Sequence, residues 1–108
     1  RSYLSENISM IREFFDRKIP AVTASEVEGS FVMWIDWRVL GLGEDELYYF
    51  LLNEAYMDLD RGVNYGTEGK GFSRMNFAAP RSKIEESLGF LFDAASKRGY
   101  TVSKIVNE

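Results

Sequence analysis

The run SFVMWIDW at residues 30–37 limits the fold more than any other stretch of the chain. Phe31, Met33, Ile35 and Trp37 fall on one face of an extended segment. Val32 and Trp34 fall on the other, where only Asp36 breaks the apolar surface. Alternation with both faces apolar predicts a central strand, covered on both sides. A second alternating run at residues 72–78 sets Ser73, Met75 and Phe77 on one side and Phe72, Arg74 and Asn76 on the other. Shorter extended segments are expected at residues 21–25 and 57–60. Residues 61–71 carry Gly62, Gly66, Gly69 and Gly71 and read as an irregular loop.

Three segments have helical periodicity. In residues 3–19, Leu4, Ile8, Ile11, Phe14, Phe15 and Ile19 recur at steps of three and four, and Pro20 ends the pattern. Glu44, Asp45 and Glu46 stand where their charge complements the positive end of a helix that should run to about residue 56. Ser82-Lys83-Ile84-Glu85 reads as a capping box opening a third helix, with Ile84, Leu88, Leu91, Phe92 and Ala95 inward and Gly99 as its C-terminal cap. The order helix, strand, strand, helix, strand, strand, helix predicts an α+β fold. It is a two-layer α/β sandwich in which helices pack on one face of a small, mostly antiparallel sheet. The 108 residues suit a single domain at 1–108, with residues 99–108 either a strand or a frayed tail.

Composition removes several chemistries. The chain has no cysteine and no histidine, so thiol nucleophiles, disulfides, zinc clusters, imidazole acid–base chemistry and His-ligated metals are excluded. Thirteen basic against 17 acidic residues give a net charge of −4, which opposes a nucleic-acid surface. With no membrane-length apolar run and no signal-peptide pattern, the expected location is the cytoplasm. A first residue Arg1 in place of Met leads to the expectation of a piece of a longer protein.

Arg74 is the most informative position. A guanidinium in mid-strand is costly unless it meets an anion, and its planar fork can hold a carboxylate or phosphate through two parallel hydrogen bonds. The alternative is an edge-strand arginine paired with a neighbouring glutamate or turned to solvent, and the residues alone favour that alternative. Residues 70–77 partly mimic an RNA-binding strand, but Arg74 occupies the place of the base-stacking aromatic. Residues 66–70 do not form a phosphate loop, because Asn64 and Gly71 stand where that motif needs Gly and Ser or Thr. The carboxylates at 44–46 and at 85–86 read as helix-dipole partners, and Trp34 and Trp37 as core or interface anchors.

Several of these runs resemble one family. Residues 28–38, EGSFVMWIDWR, are similar to a segment EG[ST]-hydrophobic-W-[LI]-D, and Leu40-Gly41-Leu42 matches the LGL that follows it. Residues 66–81, GTEGKGFSRMNFAAPR, are similar to G-xxG-x-GF-x-R-[LM]-N-[IF]-A-x-PR. The opening helix with Tyr3, Leu4, Asn7, Phe14 and Phe15 fits as well. This is the pattern of the C-terminal small domain of fold-type I pyridoxal-phosphate enzymes in the class I/II aminotransferase superfamily. The resemblance is to the PatB/MalY-like cystathionine β-lyases, or C–S lyases, and covers about residues 3–91. Asp60, where Asn is expected, and Ala79, where Cys or Thr is frequent, depart from the pattern.

The resemblance implies that Arg74 grips the α-carboxylate of an amino-acid substrate, with Asn76 as a supporting partner. Tyr65 and Gly66 would border the active-site mouth. It also implies pyridoxal 5′-phosphate in the full-length enzyme, held by a large domain of the same chain, and a homodimeric parent. The Schiff-base lysine would lie upstream, since none of Lys18, Lys70, Lys83, Lys97 or Lys104 sits in a matching motif; the fragment alone is expected to bind no cofactor and to be inactive. Aminotransferase and lyase chemistry both remain open. The rival readings are a stand-alone α/β small-molecule-binding or regulatory module and an RNA-binding domain.

Overall fold

The apolar stripe near the N-terminus forms α1 (Tyr3–Lys18), which buries Ile11 and Phe15 and leaves Glu13 and Arg17 paired in solvent at 3.0 Å. A computed structural model describes residues 3–102. After Pro20 the chain enters a hairpin of β1 (Thr23–Glu26) and β2 (Val32–Asp36), closed by the amide of Val27 on the carbonyl of Val32 at 2.9 Å. Next come α2 (Glu44–Tyr49), the two-residue β3 (Asp60–Arg61), β4 (Phe72–Asn76) and α3 (Arg81–Lys97). The sheet order is β1-β2-β4-β3 with every pair antiparallel.

Met33 and Ile35 of β2, Met75 of β4, and Trp37 and Phe77 just beyond the two strands are all buried on one side of the sheet. There they meet Ile11 and Phe15 of α1, Leu47 of α2 and Ile84, Leu88 and Leu91 of α3. Phe15 sets its edge against Trp37 at 5.7 Å. The fold is the expected two-layer α+β sandwich. β2 is interior as predicted, but its cover is one-sided. Val32, Trp34 and Asp36 are only half-buried, because the helical layer closes one face alone. Trp34 instead stacks on Phe72 at 5.0 Å, and Arg38 lies over Phe72 at 4.8 Å while holding Asp36 through two side-chain hydrogen bonds of 2.9 and 2.8 Å. The Arg38 bonds hold the Asp36 carboxyl below the usual carboxylate range.

Three local expectations are corrected. The strand expected at residues 57–60 begins only at Asp60, as the two-residue β3. The second helix widens into a π-turn at Phe50–Glu54, with the Ala55 amide on the Phe50 carbonyl at 2.9 Å, and leaves through Tyr56 at φ +58°. That exit consumes the chain up to Asp60. Second, Ser82 does not cap α3: the helix starts at Arg81 after Pro80, and Glu85 pairs with Arg81 at 3.3 Å. A one-way side-chain cap lies on α2 instead, where the Gly43 amide donates to Glu46 Oε1 at 2.9 Å. Third, Phe92 is half-buried, with the Lys18 ammonium 5.1 Å from its ring centroid. Gly99 does end α3: at φ +79° its amide meets the Ser96 carbonyl at 3.0 Å and the Tyr100 amide meets that of Ala95 at 2.8 Å. Residues 103–108 of the tail lie outside the described residues.

Candidate functional site

Alternation along β4 sends Ser73 and Met75 into the core and leaves Arg74 and Asn76 on the open face. Arg74 sits between Trp34 of β2 and Asp60 of β3 in the strand register. Its side chain is 28% exposed, and Nη1 stands 4.0 Å from Asp60 Oδ2. The guanidinium carbon lies 4.3 Å from the centre of the Tyr65 ring, whose hydroxyl donates to Asp60 Oδ2 at 3.3 Å. Among the described residues the guanidinium makes no hydrogen bond within 3.5 Å, so its fork of donors is held in place by ring and charge but left unused. The fork opens on a cleft of about 330 Å³ lined by Val32, Asp58, Leu59, Asp60, Arg74 and Asn76.

The loop that delivers Tyr65 depends on two glycines. The chain crosses itself at Gly62 and Gly69, where a Cβ on either would collide with the carbonyl of the other. Behind them, the Tyr48 hydroxyl donates to the Phe72 carbonyl at 2.7 Å, and Glu44 Oε1 accepts the Gly71 amide at 3.1 Å. Burial, reinforced by the Glu44 charge, raises the Tyr48 phenol to about 12, so it stays a donor. From the other layer, buried Asn7 of α1 donates to the carbonyls of Phe77 and Ala79 at 3.0 and 2.7 Å, fixing the exit of β4. Trp37 Nε1 donates to Ser73 Oγ at 2.7 Å beneath Arg74.

Of the four residues singled out in the sequence, Arg74 and Tyr65 are in contact, and Asn76 lines the cleft with Arg74 while Tyr65 does not. Asn76 Oδ1 accepts the Ala78 amide at 2.7 Å, which leaves its NH₂ group for a ligand. Gly66 is not in the cleft. It shapes the backbone after Tyr65 at φ +134°. Sequence reasoning did not single out Asp58, Leu59 or Asp60 as cleft residues. Asp60 was marked only as a departure from a family pattern, and its contact with Arg74 follows from the β3–β4 register.

The donor set does not suit pyridoxal phosphate within this chain. No lysine lines the cleft, and Asp58 and Asp60 would face a phosphate with like charge. Among the described residues no group of three or more carboxylates is placed to hold a metal ion, and no helix is long and apolar enough to cross a membrane. What the arrangement offers an anion is the unused donors of Arg74 and the NH₂ group of Asn76.

No family model matches the sequence. Protein MalY of Escherichia coli is 30% identical over 94 residues, covering 87% of this chain and 24% of MalY. Cystathionine β-lyase PatB of Bacillus subtilis is 26% identical over 87 residues, covering 81% of this chain and 22% of PatB. Cystalysin from Treponema denticola, solved with pyridoxal 5′-phosphate, superposes at a TM-score of 0.84 with 34% identity, covering 88% of this chain and 24% of cystalysin. Aminotransferases from Pyrococcus, at 18 to 21% identity, share the fold alone.

Sequence and fold together match the small C-terminal domain of the pyridoxal-phosphate-dependent aminotransferases and C–S lyases. The chain spans about a quarter of the length of the curated relatives it matches. Within that class the similarity is to protein MalY and to cystathionine β-lyase PatB, in keeping with the motif block at residues 66–81.

Proposed function

We propose that this chain is the substrate-closing domain of a pyridoxal-phosphate-dependent C–S lyase or aminotransferase acting on amino acids, and that Arg74 binds the substrate α-carboxylate. The observation that carries this is the unspent Arg74 fork, braced by Tyr65 at 4.3 Å on a residue that lines a cleft on the open sheet face. Chemistry at the amino-acid Cα belongs to the cofactor and the large domain; this chain binds, orients and excludes water. Arg74 takes the carboxylate through two parallel N–H···O bonds, which fixes the rotation of the substrate about its Cα. The Tyr65 ring limits the swing of the guanidinium, and the Asn76 amide offers a further donor. In a closed site such a charge-assisted pair contributes about 2–4 kcal/mol, on the order of a hundredfold or more in rate.

On this reading the domain moves as a lid over substrate. Gly66 and Tyr65 form its edge. The large cofactor-binding domain lies on the same polypeptide, the enzyme is a cytoplasmic homodimer, and neither nucleic acid nor membrane is a partner. The resemblance supports the first two, and the net charge of −4 opposes nucleic acid.

Arg74→Ala in the full-length enzyme should lower kcat/KM for amino acids about a hundredfold while the visible absorbance of bound cofactor is kept. Arg74→Lys should recover only part of the loss, because a point charge does not reproduce the fork. Unchanged kcat/KM in both variants would remove the proposal.

A further inference from the structure

The cleft at Arg74 carries more negative than positive charge. One of its lining residues, Arg74, is a cation, and two, Asp58 and Asp60, are carboxylates. Asp58 has a second cation nearby, since Lys83 lines the adjoining cleft that also contains Asp58 and Asn76. Asp60 has Arg74 alone among the described residues. Arg61 is turned away by strand alternation, pairing with Asp45 at 3.5 Å and lying over the Tyr48 ring at 4.5 Å.

Asp60 is nevertheless fixed in place. Its backbone pairs opposite Arg74, and its Oδ2 accepts the Tyr65 hydroxyl at 3.3 Å. At 4.0 Å from Nη1 it balances the guanidinium without consuming a hydrogen-bond donor. When another carboxylate takes the Arg74 fork, Asp60 keeps the Tyr65 hydroxyl as its hydrogen-bond partner and its charge stays turned to the cleft.

We propose that Asp60 is a specificity-determining residue that disfavours amino acids with an acidic side chain and favours those whose side chain is neutral or cationic. This rests on the reading of Arg74 as the α-carboxylate binder. Asp60 competes with every incoming carboxylate for Arg74, and it penalises a second carboxylate on the same substrate. With the Asp60 side chain 67% exposed, solvent screens this repulsion, which amounts to about threefold in affinity.

The test uses the full-length, cofactor-loaded enzyme and three amino acids of similar size: L-glutamate, L-glutamine and L-ornithine. Dissociation constants are read from the change in cofactor absorbance, and a ligand too weak to saturate is ranked by its initial slope. Asp60→Asn keeps an acceptor oxygen for Tyr65 and removes the charge. It should raise the affinity for glutamate relative to glutamine about threefold and lower that for ornithine relative to glutamine. Asp60→Glu should retain the original ranking. A merely structural role would shift all three ligands alike. Unchanged ratios in Asp60→Asn overturn the proposal. If Arg74→Ala weakens all three ligands while those ratios stay fixed, only the role of Asp60 fails. If Arg74→Ala weakens none, the carboxylate reading fails and takes this role with it.

Discussion

Tyr48 shows how a single polar atom stiffens the site from behind. Its hydroxyl donates to the Phe72 carbonyl at 2.7 Å, two residues before Arg74, in surroundings that raise its pKa from 10.0 to about 12. The folded state therefore holds this proton more tightly than the unfolded chain. The associated stability is complete below pH 10.0 and is lost as pH rises through about 12. Tyr48→Phe should cost about 1–2 kcal/mol at neutral pH by leaving the carbonyl unpaired. It should also flatten that part of the alkaline decline, as read from urea midpoints across the window. At this scale the sequence was partly legible. Period-two alternation places Arg74 and Asn76 together on one face, and a motif resemblance singles out Tyr65. The Tyr48–Phe72 bond and the Asp60–Arg74 approach depend on how distant segments register, which no local pattern encodes.

At the scale of elements, strands were the easiest to read and helix ends the hardest. The alternation at residues 72–78 appears in the structure as written, since Ser73, Met75 and Phe77 are all buried. The start of α3 lies two residues earlier than a Ser82 cap would place it, with Pro80 at the N-cap and an Arg81–Glu85 ion pair across the first turn. The π-turn at Phe50–Glu54 has no sequence signature of its own, and it is what displaced the predicted strand at 57–60. The loop at 62–69 makes the sharpest element-level prediction. A Cβ on Gly62 would stand 2.8 Å from both the Cβ and the carbonyl oxygen of Phe72, besides striking the Gly69 carbonyl. Gly62→Ala should destabilise the protein by about 2 kcal/mol or more and displace Tyr65. Thermal denaturation and weaker amino-acid binding would register both effects.

For the whole molecule, the informative feature is the asymmetry of the sheet. All three helices close on one face, and the other carries the Trp34–Phe72 stack beside Arg74. The apolar character of both faces of β2 led to an expectation of cover on each side. Among the described residues only the helical layer covers the sheet, and the face that carries Arg74 is open. The most direct measurement is the crystal structure of the full-length enzyme with an amino-acid inhibitor bound. The predicted result is that the Arg74 nitrogens lie about 2.8 Å from the two oxygens of the inhibitor carboxylate. A carboxylate held elsewhere, with Arg74 still facing Asp60 across 4.0 Å, would contradict it.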